Sequence, residues 1–288
     1  MEVRFWLRRA AIGPQTMVSI DANRYGALSR ARETFVDAGA FEQRYEILLG
    51  NYLALERFCA EWSLRREIET DHRYETGARV ILEANRHVMN LLSSARAYAD
   101  HVVRDFQHLG LSPSFQTQAE TLMSEVYDRN LSYRIVCALR NYVQHRATPV
   151  HGMTSQMKGK CWADALVIYC DKKRLDEEGK FKASVLAEME GQTDLRLVAR
   201  EYMHGVSGVH VELRKRVDEH CREARRLHEE AIAEFVAAQP EPEPGTPGIG
   251  LTVCREVEGK FVDTHPILLA WDEVRLLLAG KNRYAFKL

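Results

Sequence analysis

Helical periodicity is the feature of this sequence that most constrains its fold. Apolar side chains recur at intervals of three and four residues between Phe41 and Trp62, the spacing that places them on one face of an α-helix. A second stripe with the same spacing begins after a candidate N-cap at Asp71 and stops at Gly110. These two stripes predict long amphipathic helices.

Two further helices are predicted in the same way. One opens at Pro113, which follows a serine cap, and ends at Pro149. The other extends over about residues 194–236, where Gly205 and Gly208 are expected to break or kink it. Together the four stripes predict a mainly α fold, a bundle of long helices.

The remaining segments predict small additions to this bundle. An apolar, partly β-branched run and the charged stretch after it predict a β-hairpin or an irregular insertion near residues 158–182. Residues 239–250 are rich in proline and glycine, a composition that predicts a linker. Beyond the linker we expect a hairpin that turns at Glu258-Gly259, followed by a short helix.

These patterns predict a division into two parts. Residues 1–238 form a helical domain with an N-terminal extension and the insertion, and residues 251–288 form a small α/β appendage after the linker. A segment of about 40 residues rarely folds alone, so we expect the appendage to dock on the helical domain or on a partner.

Composition and charge exclude several classes of protein. The apolar content of 45% is typical of soluble globular proteins, and no stretch approaches the length of a membrane span. Arg4, Arg8 and Arg9 interrupt the first apolar run, so we expect no signal peptide and a cytoplasmic location. The six cysteines include no CxxC pair, which favours reduced, mostly buried thiols and neither a metal nor a cofactor. The formal net charge of −1 argues against a protein that coats RNA regardless of sequence.

The segment RNYVQH, residues 140–145, is the strongest candidate for chemistry. Arg140, Asn141 and His145 occur here within an otherwise apolar helical stripe. Burying an unpaired guanidinium is costly, so such a cluster indicates a paired site, an interface or a substrate pocket. Histidine titrates near neutral pH, and the arginine fork suits a phosphate group.

The arginine-to-histidine spacing alone does not distinguish this segment. It recurs from Arg96 to His101 and from Arg146 to His151. The context is different at Arg140, which is followed by a polar residue, preceded by an apolar run and placed in the last turns of a predicted helix. The sequence therefore favours residues 140–145 as the candidate site.

This segment resembles the HEPN family, all-α proteins whose ribonuclease members carry an arginine, four to six residues and then a histidine, often with a polar residue directly after the arginine. The resemblance implies a HEPN-like bundle that cleaves RNA without a metal. His145 is then the general base for the ribose 2′-OH or the general acid for the leaving 5′-oxygen. Arg140 holds the scissile phosphate, and Asn141 orients His145 or a phosphate oxygen. Because family members are often dimeric toxins or antiviral effectors of prokaryotes, the implied partners are RNA, a second copy of the chain and an antitoxin or regulatory protein.

Helix geometry adds a condition to this interpretation. In a regular helix Asn141 and His145 share a face, whereas Arg140 and His145 are separated by about 140°. Arg140 and His145 therefore flank one cleft only from its two sides, or with the last helical turn distorted. A dimer that brings two such segments together would ease this constraint.

The alternative interpretation is structural. His145 and Arg146 would then complement the dipole at a helix C-terminus, as part of an ordinary polar patch. The protein would be a non-catalytic helical-bundle interaction protein with a HEPN-like fold. The sequence leaves both interpretations open.

Overall fold

The computed structural model describes residues 2–11, 16–68, 73–102, 104, 113–155, 166–239 and 250–287. The described residues are 70% helical with small sheets, which confirms the predicted mainly α class. In chain order the elements are β1 (Val3–Arg9), β2 (Val18–Ile20), α1 (Ala22–Ile68), α2 (Tyr74–Val102), α3 (Pro113–Arg129), α4 (Leu131–His145), β3 (Gly152–Ser155), β4 (Leu166–Asp171), α5 (Lys172–Glu177), α6 (Ala183–Glu188), β5 (Gln192–Asp194), α7 (Leu195–Ala237), β6 (Leu251–Val257), β7 (Lys260–Ile267) and α8 (Leu269–Lys281).

The chain forms two compact units, and α1, α3 and α7 contribute residues to both. The first unit contains residues 1–43, 104–116 and 212–283. The second contains residues 44–103, 117–211 and 284–288. This division differs from the predicted domains, because residues from both ends of the sequence belong to the first unit.

The first unit is built on an antiparallel sheet in the order β2-β1-β6-β7. β1 pairs with β6 along its whole length, from Val3 opposite Val257 to Arg9 opposite Leu251. The predicted appendage is therefore joined to the N-terminal segment by strand pairing, and β1 itself is an element that the sequence analysis did not predict. Residues 240–249 of the predicted linker lie outside the described residues.

The core of this unit lies between the sheet and the parts of α1 and α7 that belong to it. The core residues are apolar and completely or almost completely buried. They include Leu7, Leu28, Phe35, Ala224, Ala231, Phe235, Val253 and Ile267. The predicted hairpin is confirmed, since β6 and β7 turn at Glu258-Gly259 with φ of 50° and 79°. Left-handed backbone at both turn positions matches the right-handed twist of paired strands, and glycine adopts it without steric cost.

The second unit contains α2, α3, α4 and the three-stranded antiparallel sheet β3-β4-β5. The prediction near residues 158–182 holds only for one strand, β4. The next residues form α5 and not a second strand, because the Asp171 side chain accepts the backbone N–H of Arg174 and caps a helix there. Residues 156–165 lie outside the described residues.

The structure differs from the prediction of one continuous third helix and, of the two alternatives given for Gly205 and Gly208, from the break. The third predicted helix is divided at Asn130, whose extended backbone ends α3 and whose side chain accepts the backbone N–H of Tyr133 to cap α4. The predicted break at Gly205 and Gly208 is absent, because α7 continues through both residues. A Cβ atom on Gly205 would lie 2.8 Å from Val126 Cγ1, so this glycine allows close packing.

The remaining helix boundaries also differ in part from the prediction. α1 begins at Ala22, well before the predicted stripe, because Asp21 accepts the backbone N–H of Arg24 with a side-chain oxygen. α2 begins at Tyr74 and is described to Val102. The predicted cap Asp71 and the predicted stop Gly110 lie outside the described residues.

Candidate functional site

The candidate residues Arg140, Asn141 and His145 all lie in the last two turns of α4. The apolar face of this helix is buried in the second unit through Ile135, Leu139 and other side chains. Burial of this face determines which polar residues of the helix remain accessible to solvent.

Polar contacts hold both ends of α4. At its start, Asn130 Nδ2 donates to the backbone oxygen of Glu201 at 3.0 Å, and Ser132 Oγ donates to Glu201 Oε2 at 2.6 Å. After its end, the buried Asn85 side chain of α2 accepts the backbone N–H of Val150 at 2.8 Å and donates to its oxygen at 3.2 Å. The position of the candidate residues therefore depends on contacts from α2 and α7.

Arg140 and Asn141 are in direct contact. Arg140 Nη1 donates to Asn141 Oδ1 at 3.1 Å. This bond uses the amide oxygen of Asn141, and the amide NH2 group can act as a donor. Both residues line a cavity of about 360 Å³ that lies among α2, α3, α4 and α7 of the second unit.

His145 occupies a different position. It is the last residue of α4, its side chain is exposed, and it is not among the described residues that line the cavity. The backbone N–H of Arg146 donates to the oxygen of Tyr142 at 2.9 Å, so the helical hydrogen bonding continues through the final turn. The distorted turn considered from the sequence is absent. Within one chain, Arg140 and His145 lie on different sides of the helix end.

In the neighbouring arginine-to-histidine pair, Arg146 and His151, the histidine has a structural role. His151 is half-buried, and its Nδ1 accepts the backbone N–H of Asp171 at 2.9 Å. Burial lowers the pKa of this imidazole, which favours its neutral form. His151 therefore links the start of β3 to the end of β4.

Arg96 is a site residue that the sequence argument did not select. It lies on α2, lines the same cavity as Arg140, and forms an ion pair with Asp100 at 2.7 Å. The sequence shows Arg96 in the same arginine-to-histidine spacing as Arg140. This spacing does not explain why Arg96 lies at the cavity, because Arg96 is placed there by the packing of α2 on α4.

The described residues contain no group of three or more histidine, cysteine, aspartate or glutamate side chains placed to hold a metal ion. The predicted buried thiols are confirmed for Cys59, Cys170, Cys221 and Cys254, whereas Cys137 is half-buried; Cys161 lies outside the described residues. In the described part of the chain, no helix has the length and apolar character needed to cross a membrane.

We find no match between this chain and known protein families, curated proteins or solved structures. The function of Arg140, Asn141 and His145 is therefore inferred from their geometry and from the HEPN-like pattern of residues 140–145.

Proposed function

We propose that the protein is a metal-independent endoribonuclease of the HEPN type, with Arg140, Asn141 and His145 as its catalytic residues. The observation that carries this proposal is the end of α4, where a guanidinium, an amide and an accessible imidazole occur within two helical turns. RNA cleavage by an internal nucleophile uses acid–base catalysis, which the imidazole can supply, and stabilisation of phosphate charge, which the guanidinium can supply.

The reaction would proceed by attack of the ribose 2′-oxygen on the adjacent phosphorus. His145 accepts the 2′-OH proton as general base, or donates a proton to the leaving 5′-oxygen as general acid. The P–O5′ bond breaks as the P–O2′ bond forms, which gives a 2′,3′-cyclic phosphate and a 5′-hydroxyl. Arg140 donates to the phosphate oxygens, whose negative charge grows in the transition state, and Asn141 holds the Arg140 guanidinium in place.

The proposal requires two copies of the chain. Because α4 is regular through His145, one copy presents Arg140 and His145 on different sides of the helix end. A symmetric dimer that places two α4 ends beside each other would let Arg140 of one copy face His145 of the other. The partners are then RNA and a second copy, and an antitoxin or regulatory protein fits the toxin or antiviral role that the resemblance suggests.

The test is an RNA cleavage assay in EDTA with structured and single-stranded substrates. We expect the wild-type protein to produce cyclic-phosphate ends, and His145→Ala and Arg140→Ala to lose at least about 100-fold in rate. Matched controls are His220→Ala and Arg129→Ala, which change exposed helical residues of the same types that do not line the cavity beside Arg140. The controls should cleave at the wild-type rate.

Mixing the two inactive variants tests the shared site. In a dimer of one Arg140→Ala copy and one His145→Ala copy, one of the two composite sites is intact, so an equimolar mixture should recover about a quarter of the wild-type rate. Cleavage that persists in both single variants, or that requires a divalent metal, would contradict the proposed mechanism. A dimer that binds RNA without cutting it would instead indicate the non-catalytic interaction protein.

A further inference from the structure

The cavity beside Arg140 has the dimensions of a small ligand site. Its volume of about 360 Å³ lies in the range of small-molecule pockets and is large enough for one flat heterocycle. Apolar side chains of α2 and α4 contribute to its wall, among them Leu92, Ala95 and Val136. An apolar wall with polar groups beside it is typical of sites that bind a ring system with a charged substituent.

Tyrosine rings form another part of the wall. Tyr127 and Tyr133 both line the cavity, and their ring centroids are 6.0 Å apart at an interplanar angle of 79°. Tyr202 also lines it and is 5.1 Å from the Tyr133 ring. Aromatic side chains stack on nucleobases whatever the base, because every base has a π face. The tyrosines therefore favour a planar aromatic ligand over an aliphatic one.

Positive charge surrounds the same cavity. Arg96 and Arg140 line it, and Lys182 Nζ donates to the hydroxyl of Tyr127 at 2.5 Å. The charges of Arg96 and Lys182 oppose the burial that raises the pKa of the cavity residue Cys137. Arg96 is partly neutralised by Asp100. The described residues that line the cavity include two arginines and no carboxylate, which favours an anionic ligand.

We propose that this cavity binds one nucleotide, with the base against the tyrosines and the phosphate between Arg96 and Arg140. The proposal rests on the proposed function, because this nucleotide would be the one whose phosphate Arg140 holds during cleavage. The cavity would then select which RNA base lies next to the bond that is cut, because Ser124 and Asn141 also line it and their polar side chains can hydrogen-bond the edge of an unstacked base.

The first test measures binding directly and needs no catalysis. Calorimetric titration compares the four nucleoside 3′-monophosphates with the corresponding nucleosides and with inorganic phosphate. We expect at least one nucleotide to bind more tightly than its nucleoside and than phosphate. Arg96→Gln should weaken that binding about tenfold, because a charged hydrogen bond to phosphate is lost. Arg86→Gln is the matched control, since Arg86 is also an exposed arginine of α2 paired with a carboxylate of its own helix.

The second test fills the cavity. Ala99 lines it and is partly exposed, so Ala99→Phe places a ring in the space assigned to the base. We expect this variant to lose nucleotide binding and to change the base preference of RNA cleavage. Arg96→Gln keeps the test valid if Ala99→Phe does not fold, because the Arg96 side chain is 52% exposed.

The outcomes separate the two proposals. Absence of nucleotide binding, binding no tighter than that of phosphate, or equal binding by Arg96→Gln and Arg86→Gln would overturn the assignment of the cavity. RNA cleavage with unchanged base preference in a folded Ala99→Phe would overturn it as well and leave the proposed function standing. Nucleotide binding that requires Arg96, in a protein that leaves all RNA intact, would support the cavity and refute the proposed function.

Discussion

His228 makes the stability of the first unit sensitive to mild acid. It lies on α7 between the core residues Ala224 and Ala231, is completely buried, and contacts the Phe35 ring edge-on at 6.3 Å. Neither of its ring nitrogens has a hydrogen-bond partner among the described residues. Burial lowers the pKa of His228 to about 4, an effect that Glu229 opposes and Arg225 reinforces. The imidazole is therefore neutral in the folded protein at pH 5.

The sign of the effect follows from proton binding. In the unfolded chain His228 takes up a proton as the pH falls through about 6.5, whereas in the folded protein it does so only near the lower pKa. The stability that neutral His228 contributes is therefore fully present above about pH 6.5 and is lost as the pH falls below this value. With these two pKa values, His228 alone lowers the free energy of unfolding by about 2 kcal/mol between pH 7 and pH 5.

Urea denaturation at pH 7 and pH 5 measures this loss. Other histidines also titrate in this range, so the decisive quantity is the difference between wild-type protein and His228→Leu. The variant removes the titrating group and replaces it with a side chain suited to an apolar core, and it should lose about 2 kcal/mol less than the wild type. His220→Leu, at an exposed position of the same helix, should behave as the wild type. Equal losses in wild-type protein and His228→Leu would refute the reasoning.

Two further predictions concern buried polar contacts. In the first unit Arg214 binds the buried Glu42 through two hydrogen bonds of 2.6 Å. Arg214→Met leaves that carboxylate without this partner, so it should lower the free energy of unfolding by about 3 to 5 kcal/mol in urea titrations. The control Arg216→Met, at an exposed position of the same helix, should change it by less than about 0.5 kcal/mol. In the second unit, Asn130→Ala removes the cap on the Tyr133 backbone N–H and the hydrogen bond to the Glu201 backbone oxygen. We expect the free energy of unfolding to fall by about 1 to 2 kcal/mol and amide hydrogen exchange in the first turn of α4 to become faster. Unchanged exchange in that turn would contradict the capping role.

Helical periodicity predicted the class of the fold because each stripe is a local property of the chain. It failed where tertiary contacts decide the backbone. Gly205 has low helix propensity, yet α7 continues through it because Val126 packs where a side chain would be. Asn130 looks like one polar residue within a long stripe, but its contact with Glu201 makes the end of α3 and the start of α4 favourable at that point.

The candidate site shows the same limit. Arg140, Asn141 and His145 were predicted near the end of a helix, and the structure places them in the last two turns of α4. The sequence could not indicate that Arg140 and Asn141 share a cavity with Arg96, because that neighbour belongs to another helix. In the proposed site, the meeting of His145 with Arg140 depends on a second copy of the chain, which no pattern within one chain specifies.

The pairing of β1 with β6 determines when the first unit becomes complete during synthesis. Trp6 of β1 and Glu256 of β6, whose side chains form a hydrogen bond of 2.7 Å, are 250 residues apart. At ribosomal rates of about 5 to 20 residues per second, β1 waits about 10 to 50 s for this partner strand. During that interval its apolar residue Leu7 has no complete core to enter, and its edge is open to other chains. The first unit can therefore complete its sheet and close its core only after β6 has been synthesised, so β1 stays without this neighbour for most of translation.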